Sequence, residues 1–148
     1  MSETIGAMLG QVARLLRRSF DERARSTGIT RPQWQVLTLL DRNPGINQGG
    51  LSELLEVEPI TTGRMIDRLQ EAQIVERRPD PHDRRAWRLH LTGKGEEMLD
   101  KLRPLASETL AEALVGLAKD DQEQLMVMLE RIRSNLSRKP SLEPAADD

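Results

Sequence analysis

The segment that most restricts the fold is a polar turn between two strand-like runs, directly after a helical run rich in threonine and arginine. Residues 86–91 alternate apolar and polar side chains, which is the pattern of a half-buried strand. The charged connector 79–85 precedes them, and a first strand is predicted at 74–78. Two predicted helices, 51–55 and 59–72, are joined by a turn of three residues. Helix, turn, helix and basic hairpin in this order predict a winged helix-turn-helix.

Amphipathic helices are predicted on both sides of this unit. Apolar residues recur at three- and four-residue steps over 3–26, and again in a last helix that begins near Asp120 or Asp121. A long helix starting at Thr92 comes between the hairpin and that last helix. The expected fold class is mainly α, with a two-stranded β-wing and a helical region formed by the N- and C-terminal helices. These terminal helices either pack within one chain or, as we favour, join two chains in a dimer.

The pattern divides the chain into three parts. Residues 1–28 and 98–138 are predicted to form the helical dimerisation region, and 29–97 the winged helix-turn-helix. The tail, 139–148, is rich in proline, alanine and acidic residues, and this composition predicts disorder.

Charge is distributed unevenly along the chain. The net charge is −2, but residues 59–94 hold eight basic and five acidic residues, so they carry +3 and the remainder carries −5. A basic stripe on an acidic body attracts an anionic polymer to one surface. A solvated charged face is the alternative interpretation of the same pattern.

Composition argues against several other classes of protein. Without cysteine there is no disulfide, no thiol redox sensor and no cysteine-ligated metal. With only His82 and His90 as nitrogen ligands we expect no metal and no cofactor. No serine–histidine–acid set and no glycine-rich phosphate loop is recognisable, so we expect no enzymatic activity. The absence of a signal peptide and of an apolar run of ~20 residues predicts a cytoplasmic protein without membrane contact.

Several segments are similar to the MarR family of bacterial transcription regulators. The resembling segments are 28–37, 64–69, 74–77, the wing at 83–92 and the closing helix at 125–136, and together they extend over about 5–137. The wing and the preceding residues 67–69 are the most specific part. It implies a homodimer in which each subunit places a recognition helix in the DNA major groove and a wing along the backbone. The implied partner is double-stranded DNA with a pseudo-palindromic operator, and the implied role is regulation, usually repression.

The resemblance assigns DNA contacts to the recognition helix and the wing. Threonine hydroxyls and arginine guanidinium groups suit phosphate, and arginine also pairs with guanine edges. The candidate residues are Thr61, Thr62, Arg64 and Arg68 on the helix, and Arg84 and Arg85 on the wing.

Two acidic residues, Asp67 and Asp83, are expected to position the wing. Asp67 would repel phosphate, and the resemblance instead implies an ion pair with Arg85 that fixes the angle of the wing. Pairing of Asp67 with Arg64 or Arg68 along the same helix is the alternative.

The chain departs from the family pattern at two positions of this unit. Gln73 stands where the family usually has glycine after the recognition helix, which predicts either a strained residue or a longer last turn. Gly63 stands where a side chain is common, so one possible contact to DNA is missing.

The two tryptophans have different predicted roles. Trp34 is first a core residue, because it is a large and mostly apolar side chain on a helix. MarR-like proteins often bind small phenolic or aromatic carboxylate effectors between the dimerisation helices and the DNA-binding lobe. Trp34 and Arg31, with Arg14 or Arg17, are the candidate lining, in which an arginine would orient a carboxylate. Trp87 is expected to pack beneath the wing, and stacking on DNA is the alternative.

One competing function remains open at this point. A winged-helix protein-interaction module could keep the fold without binding DNA. The basic segment and the Arg84-Arg85 pair count against it, and reversing the charge of Arg64 and Arg84 would separate the two, since an adaptor would keep its partner.

Overall fold

The computed structural model describes residues 4–137. In that part the fold is mainly helical, with one antiparallel pair of strands, and the predicted fold class is confirmed. The predicted tail at 139–148 lies outside the described residues, as do the first three residues and residue 138. The elements are α1 (Ile5–Ala24), α2 (Arg31–Arg42), α3 (Gln48–Leu55), α4 (Pro59–Glu71), β1 (Val75–Pro79), β2 (Trp87–Leu91), α5 (Gly93–Ala113) and α6 (Lys119–Ser137).

The chain divides into two compact units, Met1–Leu110 and Ala111–Asp148. The first contains α1 to β2 and most of α5, and it holds the hydrophobic core. The second contains the end of α5 and α6. The division into a dimerising region and a DNA-binding region is a division of roles, and it stays a prediction. Within residues 4–137 no helix combines the length and the apolar character needed to cross a membrane.

Side-chain caps set the beginnings of the first three helices. Thr4 accepts a hydrogen bond at the start of α1, and Thr30 forms a reciprocal capping box with Gln33 at the start of α2. Helix α3 begins at Gln48, three residues before its predicted start. The reason is Asn47, whose side-chain oxygen accepts from the Gly50 amide at 2.8 Å and so caps a turn that two glycines disfavour.

The core is aliphatic, and α2 passes through it. Leu37, Leu40 and Val36 of α2 are buried almost completely. Burial of one such leucine stabilises the fold by about 2 kcal/mol. Among the described residues, Phe20 and Trp34 are the only two aromatic rings in contact. Their centroids are 4.7 Å apart and their planes meet at 81°, an edge-to-face arrangement. The other helices and strands contribute further buried residues: Leu51, Ile66, Leu69, Val75, Leu89, Leu99 and Leu102.

The wing is an antiparallel hairpin with a third segment attached to it. Arg77 of β1 lies opposite Leu89 of β2. On the other edge of β2, the Leu89 amide donates to the Ile46 carbonyl at 2.9 Å, and the Gly45 amide donates to the Leu89 carbonyl at 3.1 Å. The connector before α3 therefore behaves as a short extra strand, and it ties the wing to the start of the helix-turn-helix.

A tight corner joins α4, β1 and α5. Helix α4 ends at Glu71, and Gln73 adopts the left-handed conformation with φ +62°. Of the two alternatives predicted for the missing glycine, the structure has the strained residue and not the longer last turn. The Thr92 hydroxyl donates to the Ile74 carbonyl at 3.0 Å and accepts from the Gly95 amide at 3.1 Å. A Cβ atom at Gly95 would collide with the Ile74 carbonyl oxygen. Only glycine therefore permits this close approach.

Candidate nucleic-acid interface

Helix α4 presents one buried and one charged face. Its buried residues are Thr62, Ile66 and Leu69, which recur at four- and three-residue steps. Arg64 and Arg68 lie one turn apart on the exposed side. Within residues 4–137 neither guanidinium forms an ion pair, so both cations face solvent and can meet an anionic ligand.

The prediction for Thr62 was wrong, whereas Thr61 lies where it was expected. Thr62 has no exposed surface, and its hydroxyl donates to the Glu58 carbonyl at 3.4 Å within the first turn of α4. Thr61 is exposed. Thr62 lies about 100° from Thr61 around the helix axis, and this rotation turns it toward the core with Ile66 and Leu69.

The wing is fastened to α4 by Arg77, a residue that sequence reasoning missed. Arg77 Nη2 lies 2.7 Å from Asp67 Oδ1, and Nη1 donates to Gln70 Oε1 at 2.6 Å. The predicted pairing of Asp67 with Arg85 was therefore wrong, and so was the alternative pairing along α4. The signal was present in β1, because Val75 and Arg77 alternate onto the side of the strand that faces the helix.

The same guanidinium also reaches α3, and this explains the glycine at position 63. Arg77 Nη2 is 3.5 Å from both Gln48 Oε1 and the Gly63 carbonyl oxygen. A Cβ atom at Gly63 would lie 3.0 Å from Gln48 Nε2. The missing side chain at position 63 leaves room for Gln48 to lie beside Arg77.

Asp80 organises the turn of the wing, and it too was missed. Its Oδ1 atom accepts from the His82 and Asp83 amides at 2.8 and 3.2 Å, and its Oδ2 atom lies 3.0 Å from Arg88 Nε. The hydrogen bond from the His82 amide, followed by that from Arg88, lowers the pKa of the Asp80 carboxyl below its usual value. The carboxylate form therefore holds the turn closed.

Asp83 shapes the tip of the wing as a local turn. Its Oδ1 atom accepts from the Arg85 amide at 2.9 Å. Arg84 and Arg85 follow immediately and are exposed. The two arginines therefore project from a turn whose backbone is held by the side chains of Asp80 and Asp83.

The expected position of Trp87 beneath the wing was wrong. Trp87 is 49% exposed and lies opposite Pro79 at the far end of the hairpin. Leu89 is fully buried on the same strand, so the alternation holds. At Trp87 the hairpin therefore extends beyond the buried core.

His90 lies half-buried at the base of the wing, opposite Glu76. Burial, and next the positive charge of Arg78, lower the pKa of His90, and the charge of Glu76 opposes them only in part. The fold therefore favours the neutral imidazole.

A cleft of about 720 Å³ lies between α1, α2, the end of α3 and α5, entirely within the first unit. Its walls are mainly aliphatic, and the guanidinium-bearing side chains of Arg17 and Arg42 line it together with Glu56. Apolar lining residues include Ala13, Leu16, Leu39, Leu54, Ala106 and Leu110.

The predicted effector residues are only partly brought together at this cleft. Trp34 is a core residue, as expected; it is 7% exposed, its Nε1 donates to Asp21 at 3.1 Å, and it also lines the cleft. Arg17 lines the cleft but Arg14 does not, because Arg14 sits on another face of α1. Arg31 is absent from the lining as well, and its guanidinium forms an ion pair with Asp21 at 3.3 Å. Of the two alternatives on α1, Arg17 is the one that lines this cleft, and a contact of Arg31 with an effector stays a prediction that this lining does not support.

The sequence comparisons agree with these observations. The model of the MarR family matches residues 29–87, which run from the start of α2 into the wing. An HTH-type transcriptional regulator of Bacillus subtilis (strain 168), YybA, is 28% identical over 130 residues, or 88% of this chain and 87% of that protein.

Solved structures with similar folds cover nearly all of the chain. The transcriptional regulator PA3341 has a TM-score of 0.80 at 28% identity, over 92% of this chain and 100% of that one. A MarR-family regulator from Listeria monocytogenes, solved with a 26mer DNA, has a TM-score of 0.77 at 21% identity, over 91% and 90% of the two chains. At that identity the likeness concerns the fold.

Proposed function

We propose that this protein is a homodimeric repressor that a small aromatic effector releases from its operator. The chain belongs to the MarR family of transcriptional regulators and carries a DNA-binding winged helix. The observation that supports this most directly is the exposed cationic face of α4 beside a basic wing tip. Arg77 fastens that wing to α4. Such a rigid arrangement suits simultaneous contact with a groove and with the neighbouring backbone.

The proposed DNA contacts are five side chains on these two elements. In the major groove, we expect Arg64 to reach a base edge and Thr61 and Arg68 to contact the neighbouring phosphates. Arg84 and Arg85 at the wing tip would contact the backbone or the adjacent minor groove. Thr62 has no part in this set, because it is buried.

Exposed apolar side chains on α1 and α6 support the dimer. On α1 these are Ile5, Met8, Leu9, Val12 and Leu15, and on α6 they include Leu125, Met128, Leu129 and Leu136. Each set is exposed in its own unit, and such surfaces mark association sites. We propose that a second copy covers both sets. A two-fold dimer would then place two α4 helices on half-sites about one helical turn apart.

The cleft supports an effector of stated chemistry. Aliphatic walls suit an aromatic ring, and Arg17 or Arg42 can hold its carboxylate through paired hydrogen bonds. Helices α2 and α3 line the cleft, and α3 leads directly into α4. An effector that prefers a dimer with misplaced α4 helices would release DNA by population shift, to the extent of its differential affinity.

Binding to the DNA upstream of the protein's own gene tests the regulatory function. Fluorescence anisotropy at several salt concentrations should show sequence-selective binding that weakens as salt rises. Arg64→Ala should weaken binding by roughly 10- to 100-fold, and Arg84→Ala should lower the slope of log affinity against log salt by about 1. Arg18→Ala is the matched control, because Arg18 is an exposed arginine on α1.

Two results would reject the proposal. One is the absence of salt-sensitive, sequence-selective binding at this promoter and at neighbouring ones. The other is an equal loss of affinity in the Arg64 and Arg18 variants, which would mean that any exposed cation contributes equally.

Isothermal titration with 2-hydroxybenzoate tests the effector site, with benzamide as the uncharged probe. Arg17→Ala or Arg42→Ala removes a charged hydrogen bond and should weaken the binding of 2-hydroxybenzoate by roughly 10-fold or more. Arg31→Ala should leave the affinity unchanged, since Arg31 pairs with Asp21 outside the cleft. No binding of either probe, or equal binding by all variants, would count against this cleft as the site.

A further inference from the structure

The recognition helix carries one large apolar side chain on its exposed face. Ile60 is the second residue of α4 and is 72% exposed. Residues four apart share one line along a helix, so Ile60 lies directly one turn before Arg64. The buried residues of the helix, Thr62, Ile66 and Leu69, lie on the opposite side. Ile60 and Arg64 therefore form the outermost line of α4.

Single exposed apolar residues are common on protein surfaces and do not indicate a function by themselves. The position of Ile60 in the helix, however, does indicate one. The N-terminal residues of a recognition helix are those that reach base edges in the major groove. A β-branched side chain is also a poorer helix former than the alternatives, so helix propensity does not account for isoleucine at this position.

The charges along α4 indicate which end approaches DNA. Asp67 and Glu71 lie in its C-terminal half, where they would repel phosphate, and Asp67 is engaged by Arg77. The N-terminal half presents Ile60, Thr61 and Arg64. This half is the one that can enter a groove without bringing carboxylates against the backbone.

Resting on the DNA-binding function proposed above, we propose that Ile60 determines operator specificity by recognising a thymine. Thymine is the one base that presents a methyl group in the major groove, and apolar side chains pack against it. Any other base would place a polar edge against the isoleucine and lose its water without gaining a hydrogen bond. Arg64, one turn further along, would fix the register on a neighbouring base or phosphate.

Replacing single thymines of the bound operator with deoxyuridine tests this directly, because uracil keeps the hydrogen-bonding edges and lacks only the methyl group. We expect one thymine in each half-site at which the replacement weakens binding by about 4-fold, the effect of one buried methyl-sized group. The Ile60→Ala variant should bind the unmodified operator more weakly by a similar factor. Its affinity should no longer change when uracil replaces thymine at that position.

Two further variants make the result interpretable. Ile60→Val keeps a branched side chain and should retain the sensitivity to uracil. Val57→Ala removes another exposed apolar side chain, in the turn before α4, and should also retain it. Because Ile60 is exposed, thermal melts of Ile60→Ala should match those of the parent protein.

The outcomes separate the two proposals. Salt-sensitive operator binding that no uracil substitution changes, or an Ile60→Ala variant that keeps its sensitivity, would overturn the role of Ile60 alone. If the parent protein bound no DNA selectively, the regulatory function itself would be overturned, and the role of Ile60 with it.

Discussion

Among single residues, Arg77 has the most consequential set of contacts. Its planar guanidinium meets Asp67 and Gln70 of α4, Gln48 of α3 and the Gly63 carbonyl, although it belongs to the wing. A rigid fork with several donors suits such a junction better than the single ammonium of lysine. Arg77 therefore helps to fix the angle between the wing and α4, together with the connector at 45–47.

Arg77→Ala should lower the free energy of unfolding by about 1–2 kcal/mol, because it removes several charge-assisted hydrogen bonds from a partly solvated site. It should also weaken operator binding, since the wing loses its attachment to α4. Urea denaturation and anisotropy measure the two effects. Arg78→Ala is the matched control: Arg78 is the next residue, is exposed and pairs only with Glu76 among the described residues. Equal destabilisation by both substitutions would contradict the role of Arg77.

His90 makes stability depend on pH. Because its pKa is lower in the folded protein than the usual 6.5, the unfolded chain takes up the proton more readily. The free energy of unfolding should therefore be greatest above pH 6.5, fall as the pH decreases through that value, and level off below the pKa of the folded state. Glu76 opposes this effect, and Arg78 and Arg88 strengthen it.

Urea denaturation between pH 5 and pH 8 measures this dependence. His90→Gln should reduce the slope, whereas His82→Gln, at the exposed turn, serves as the control for loss of a histidine. A slope that survives His90→Gln unchanged would assign the dependence to other groups.

Sequence reasoning located the charged surface better than the contacts within it. Arg64, Arg68, Arg84 and Arg85 are exposed, as expected, and they form no ion pair with any residue in 4–137. The burial of Thr62 could not be read from composition, because it depends on the rotational phase of α4 against the core. The partner of Asp67 depends on where β1 crosses the helix, which is a tertiary property.

At the scale of elements, the corner between α4 and α5 is held by side-chain hydrogen bonds and by a close backbone approach. The Thr92 hydroxyl links the chain after β2 to the chain before β1, and Gly95 lets the start of α5 lie against the Ile74 carbonyl. This packing sets the base of the wing.

Gly95→Ala should destabilise the protein by about 1–3 kcal/mol, since the new Cβ atom would press on backbone that cannot move aside easily. Gly93→Ala provides the control in the same turn of α5, because a Cβ atom there meets no other atom within 4 Å. Thermal denaturation distinguishes them. Equal melting temperatures for the two variants would show that the corner can relax.

The element order was predictable because hydrophobic periodicity and turn chemistry agree along most of the chain. The early start of α3 was missed, since Gly49 and Gly50 disfavour a helix that the cap at Asn47 nevertheless begins. The third segment of the wing was missed as well. Three residues, 45–47, are too few to show the alternation by which a strand is recognised.

At the scale of the whole molecule, the proposed dimer makes the clearest prediction. Leu15→Glu places a charge on the exposed apolar set of α1, so burying that surface against a second copy should become unfavourable. Light scattering should then report the mass of one chain, and operator affinity should fall because each half-site binds alone. Arg14→Gln lowers the net charge by the same one unit at an exposed position on the other side of α1, and it should leave the mass unchanged. A parent protein with the mass of one chain would contradict the dimer.

The placement of the two tryptophans gives the molecule a pair of intrinsic optical probes. The chain has no tyrosine, so Trp34 and Trp87 dominate its near-ultraviolet absorption and emission. Trp34, 7% exposed at the edge of the cleft, should emit toward the blue, and Trp87, 49% exposed on the wing, toward the red and within reach of iodide. Events at the cleft and events at the wing should therefore alter different parts of one spectrum, without any attached dye.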